Sequence, residues 1–180
     1  FQLFTTIPLY HKEQFNLSEL QTGLLLTFNG VLVFFVEMPL VSYIERNKIN
    51  KLRAINLGGL LMTISMFLLL INNWVGILIV MMLFMTFAEM FAFPFSNSFA
   101  MSRAPKGHEG RYMAIFTMTY SMAHILSAKS GMTIIDHFGY QANWLFMGTL
   151  GFISVLLGLW VIKLVNKKPI ETIKTKNLVK

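Results

Sequence analysis

No cysteine occurs among the 180 residues, which excludes a disulfide framework and any thiolate metal centre. Charge is scarce as well. Charged residues make up 13% of the chain, where soluble domains average about 25%. Hydrophobic residues make up 55% and the mean hydropathy is +0.60. One soluble core of this size cannot hide so much Phe, Leu, Met and Ile, so lipid has to be the solvent for much of the surface. Catalytic signatures are missing too: there is no His-Glu-x-x-His, no Gly-x-Ser-x-Gly and no glycine loop to cradle phosphate. The His108-Glu109 pair has no further ligand at useful spacing. No enzymatic activity, no cofactor and no metal is therefore expected. Neither an initiator Met nor a charged leader precedes the apolar opening at Phe1. The chain is accordingly expected to be truncated, its first apolar stretch being the end of a helix that begins upstream.

What the sequence does contain is long apolar runs, and each of five is near or above the roughly 20 residues a bilayer-spanning helix needs. The expected spans are 20–42, 54–72, 74–102, 112–135 and 143–165, with a partial one at 1–10 and a cytoplasmic tail at 166–180. Continuous apolar runs without period-2 alternation argue for helices rather than barrel strands. The separators agree: Asn72-Asn73 is expected to turn, Pro105-Lys106-Gly107 supplies a break, and Asp136–Asn143 reads as a short polar loop. The fold class is all-α, a polytopic transmembrane helix bundle.

If the Tyr10–Leu20 loop lies outside, every Lys and Arg of the fifteen except Lys12 and Lys129 falls on the inner side. That is the positive-inside pattern. It predicts an inner (plasma) membrane protein with a cytoplasmic C-terminus, and it explains the net charge of +7 without nucleic acid as a partner. Tyr10, Tyr43, Trp74, Tyr112, Tyr140, Trp144 and Trp160 sit at or near span ends, where amphipathic rings prefer to lie.

Ionisable residues inside the spans are few and unevenly placed. The runs Ala54–Ile71 and Trp144–Ile162 have none, whereas the other three carry Glu37, Glu89, and the pair His124 and Lys129. Intramembrane charge is costly and persists where it faces protein or water, so this split sorts the helices into cavity-lining and peripheral ones. Glu89 lies near mid-span ahead of Pro94, which invites a kink. An acid there is suited either to reversible protonation or to hydrogen-bonded helix association. Glu37, just before Pro39, reads as a second cavity acid or an anchor for the inner loop. Lys129 either snorkels to the interface or partners an acid, and His124 is a packing or relay residue. Asn29-Gly30 offers either a polar ligand or a close-packing site, and Gly58-Gly59, Gly148, Gly151 and Gly158 read as close-packing positions.

Four stretches carry a family likeness: Phe1–Tyr10, Gly23–Asn29-Gly30 with Glu37-Met38-Pro39-Leu40, Glu89–Phe93-Pro94, and Arg103-Ala104-Pro105 with Gly110–Met113. Together they make the chain resemble the second six-helix half of major facilitator superfamily transporters, drug:proton antiporters in particular. The loop Glu45–Arg53 resembles the family's acidic-then-basic loop, with Val41 at the usual leading Gly and Glu45 at the usual Asp. The resemblance implies a C-terminal half of a major facilitator fold that works with its missing N-terminal half. It further implies alternating access around a central cavity, in a secondary active, proton-coupled transporter of a small solute. Glu89, Glu37, Lys129, His124 and Asn29 are then the candidate substrate- or proton-binding residues, and the partners are a small-molecule substrate, protons and the bilayer. Two other readings remain: a small self-contained transporter that dimerises, and a non-transporting membrane scaffold or receptor.

Overall fold

The computed structural model describes residues 1–71 and 74–167, so the expected Asn72-Asn73 turn and the tail beyond residue 167 lie outside the described residues. After a 3-10 turn at Gln2–Phe4 come α1 (Thr6–Phe15), α2 (Glu19–Arg46), α3 (Lys51–Leu68), α4 (Ile77–Arg103) and α5 (Glu109–Lys167). No strand occurs among the described residues.

The helix boundaries follow from local chemistry. Asn16 closes α1 in the left-handed conformation, which asparagine tolerates better than most residues. Ser18 then opens α2 through a capping box with Gln21, two orphan donors being satisfied reciprocally. Asn50 caps α3 by accepting from the Leu52 amide at 2.9 Å. Gly107, at φ +83°, provides the reversal between α4 and α5. The polar loop expected at Asp136–Asn143 is far shorter in the structure. The chain stays helical on both sides and breaks at Gly139 alone, whose φ 82°, ψ 175° is a region almost closed to residues with a Cβ. A first and a second arm of α5 result, each long enough at 1.5 Å per residue to cross the roughly 30 Å hydrocarbon layer.

α4 is the central element. Leu78, Met81, Met82, Met85 and Ala88 recur at helical spacing and are all buried. α3 packs beside α4 and against the second arm of α5. Small residues permit both contacts: a Cβ added at Gly58 would lie 2.8 Å from the Ala88 carbonyl oxygen and the Ala92 nitrogen. Gly148 and Gly151 likewise abut Phe67 and Thr63. In lipid no hydrophobic force drives such contacts, and close backbone approach with van der Waals packing takes its place. Gly30 does not serve in this way, since nothing lies within 4 Å of the Cβ position there. The outward faces of α2 are left uncovered, with Phe34 77% and Met38 75% exposed. α2, α3, α4 and α5 are long and apolar enough to cross a membrane.

Candidate functional site

The polar residues of α2 and α4 meet midway along the helices. Asn29 of α2 is buried and donates through Nδ2 to Thr86 Oγ1 at 3.0 Å and to Glu89 Oε2 at 3.3 Å. Thr86 in turn donates to the Met82 carbonyl at 2.7 Å, which directs its proton away from Asn29 and leaves the oxygen lone pairs to accept from the amide. The three-residue spacing from Thr86 to Glu89 puts both on one face of α4. The site is thus an acid held by a neutral amide donor, without a compensating cation. Among the described residues, the ion pair within 4 Å is Lys12–Glu19, where α1 ends and α2 begins, and it does not involve Glu89.

Glu89 also lines a cavity of about 360 Å³ between the Gln2–Phe4 turn, α3, α4 and both arms of α5. Met62, Met66, Met85 and Met147 supply soft, adaptable walls. Gln2 closes one side: its Nε2 donates to the Ser127 carbonyl at 2.8 Å and to Ser127 Oγ at 3.0 Å. Its Oε1 accepts from Thr6 Oγ1 and from Asn143 Nδ2. Gly131 allows this close approach, since a Cβ there would stand 2.6 Å from Gln2 Nε2.

The remaining sequence candidates are more dispersed. Glu37 is half-buried on α2, eight residues or about 12 Å along the helix from Asn29. Lys129 is exposed on the first arm of α5 and forms no ion pair with Glu89, so the structure does not bring those two charges together. His124 is exposed and stacks on the Phe1 ring at 4.9 Å. Thr86, Gln2 and Ser127 escaped sequence reasoning. The signal was there in part, because Gln2 and Thr6 stand four residues apart within an apolar segment, and Thr86 stands three before Glu89.

The model of the Major Facilitator Superfamily matches residues 1–178. The chain belongs to the major facilitator superfamily. It is similar to a Na(+), Li(+), K(+)/H(+) antiporter of Planococcus maritimus, 24% identical over 186 residues that cover 96% of this chain and 43% of the relative. It is also similar to the uncharacterized MFS-type transporter YttB of Bacillus subtilis (strain 168), 28% identical over 155 residues, 86% of this chain and 38% of that protein. A second protein of that bacterium, the uncharacterized MFS-type transporter YqjV, is 25% identical over 117 residues. The chain spans less than half the length of each of these relatives. No solved structure matches it. Family and helix character together make this major facilitator chain a multi-pass, all-α membrane bundle, and they point to transport rather than catalysis.

Proposed function

We propose that this bundle is the C-terminal half of a proton-coupled secondary transporter of a small solute, working by alternating access in the inner membrane with its C-terminus cytoplasmic. The observation that carries the reading is Glu89, an acid on the wall of a cavity and hydrogen-bonded by Asn29 from a second helix. A lone carboxylate in such a place takes either a proton or a cationic group, one at a time, and that mutual exclusion is what exchange requires. The antiporter name of the Planococcus relative supports a proton as one of the exchanged species. Asn29 suits both states, because its amide can donate to the carboxylate and accept from the protonated acid. Glu37, about two turns beyond Asn29 on α2 in the direction of the basic loop, is the second acid of this reading. The uncovered faces of α2 fit an N-terminal half that completes the cavity.

The test is substrate flux in proteoliposomes made with the intact transporter, driven by an imposed pH gradient. Glu89→Gln keeps the shape of the side chain and removes its titratable charge. Flux is expected to fall to the background of empty liposomes while thermal stability changes by less than about 1 kcal/mol, as for most isosteric replacements of a partly exposed group. Glu37→Gln is expected to retain part of the flux. Normal transport by Glu89→Gln would assign the carboxylate to helix association and remove it from the mechanism.

A further inference from the structure

The end of the bundle that carries the basic loops holds a second cavity, of about 650 Å³, between α3, α4 and both arms of α5. Leu52, Ile55, Phe116, Leu157 and Val161 make its walls apolar. Arg103, the last residue of α4, stands at its rim. The guanidinium lies over the Phe99 ring, 5.0 Å from the centroid. Its Nε and Nη2 are both buried and have no hydrogen-bond partner among the described residues. Arginine cannot shed its charge. Drying two of its nitrogens without an acceptor is therefore costly unless an anion sits nearby. No carboxylate among the described residues lines the crevice. Nη1 is left as the nitrogen able to meet a ligand.

We propose that this crevice binds an anionic phospholipid, with the phosphate on Arg103 and the glycerol and first acyl carbons against the apolar walls. Two observations favour a lipid over a free phosphate. The charged group lies only at the helix end, at headgroup level. From there the walls run inward for two turns, from Arg103 to Ser96, without a single charge. A free anion would leave that apolar length empty, whereas a lipid fills it. An anionic headgroup is favoured over a zwitterionic one by charge. Lys51, Arg53, Lys106 and Arg111 belong to the same end, and among the described residues no acid lines the crevice to meet an ammonium. Lys51 is engaged, donating to Ser98 Oγ at 2.5 Å, and of the basic residues at this end Arg103 is the one that lines the crevice, which makes it the headgroup ligand. The crevice has a charged group of its own, Arg103, and meets the Glu89 cavity at Gly59 and Ser154, which line both; its proposed function does not depend on what the transporter carries.

Native mass spectrometry of the full chain, released from micelles doped with phosphatidylglycerol or with phosphatidylcholine, tests the proposal. One phosphatidylglycerol is expected to stay bound with a preference of roughly tenfold over phosphatidylcholine, the scale of a charge-assisted hydrogen bond. Arg103→Gln is expected to erase the preference. Arg103→Lys is expected to keep part of it, since an ammonium retains the charge but not the flat guanidinium that lies over the Phe99 ring. Should Arg103→Gln fail to fold, the comparison of lipids on the unmodified chain and on Arg103→Lys still decides. Equal retention of the two lipids, or undiminished retention by Arg103→Gln, overturns the proposal. Displacement of phosphatidylglycerol by millimolar inorganic phosphate overturns it as well, in favour of a free-anion site.

Discussion

At the scale of single residues, several polar side chains within the apolar helices find partners on neighbouring elements. Asn29 holds Glu89, Gln2 holds Ser127, and Tyr10 donates to the Leu69 carbonyl at 3.1 Å. Tyr140, one residue past the Gly139 break and outside the apolar spans, donates to Glu13 Oε2 at 2.7 Å. Its phenol sits above the ordinary tyrosine value, first because burial disfavours the phenolate and then because the Glu13 carboxylate accepts its proton. The sign follows directly. A phenol raised in the folded state adds stability that is fully present below the unfolded value near 10 and is lost as pH rises above it. Tyr140→Phe is expected to lower stability at neutral pH by about 1 kcal/mol, the usual net worth of one hydrogen bond. Its loss of melting temperature between neutral pH and pH values above about 10 should be shallower than that of the unmodified protein. Thermal unfolding of both proteins in detergent across that range measures the difference, and parallel curves would mean that Tyr140 does not contribute through its proton.

At the scale of elements, α3 is the helix on which the bundle depends, although it carries no ionisable group inside the membrane. Its Gly58 lets the α4 backbone approach at Ala88 and Ala92. A side chain there meets backbone atoms, which cannot swing aside. Gly58→Leu is therefore expected to separate α3 from α4 and to destabilise the bundle by about 2 kcal/mol or more, on the scale of overpacking in a close interface. Gly30→Leu, with open space at the Cβ position, is expected to change stability by less than about 0.5 kcal/mol. Chemical denaturation in mixed micelles compares the two. Equal sensitivity would mean that the α3–α4 contact is not the tight one. Both glycines stand in similar apolar surroundings in the sequence, and nothing local distinguishes them. Only the neighbouring helix does.

At the scale of the whole molecule, the expected orientation is open to a direct measurement. Lys48→Cys lies in the basic loop between α2 and α3, and Gln141→Cys lies just past the Gly139 break. An impermeant maleimide is expected to label Gln141→Cys from outside intact cells and Lys48→Cys only after permeabilisation, because basic loops resist translocation. Labelling of both from outside would invert or abolish the proposed topology. The uncovered faces of α2 and of the first arm of α5 belong to this scale too. They carry the expected cavity residues Glu37, His124 and Lys129, half-buried or exposed, which is the arrangement a second wall would complete.

The sequence by itself determined the solvent, the helical class, the family resemblance and the acid at the centre. Those follow from one-dimensional quantities: apolar run length, the placing of Lys and Arg, and a carboxylate where charge is costly. Which neutral side chains serve that acid was decided only by the tertiary structure. Asn29 reaches Thr86 and Glu89 across 57 and 60 residues of chain. The dry guanidinium of Arg103 and the network of Gln2 emerge in the same way, from helices brought together in space. Charge announces itself in a sequence because its cost in lipid is large and local. Hydrogen-bond partners and voids do not, because they are set by which helix faces meet.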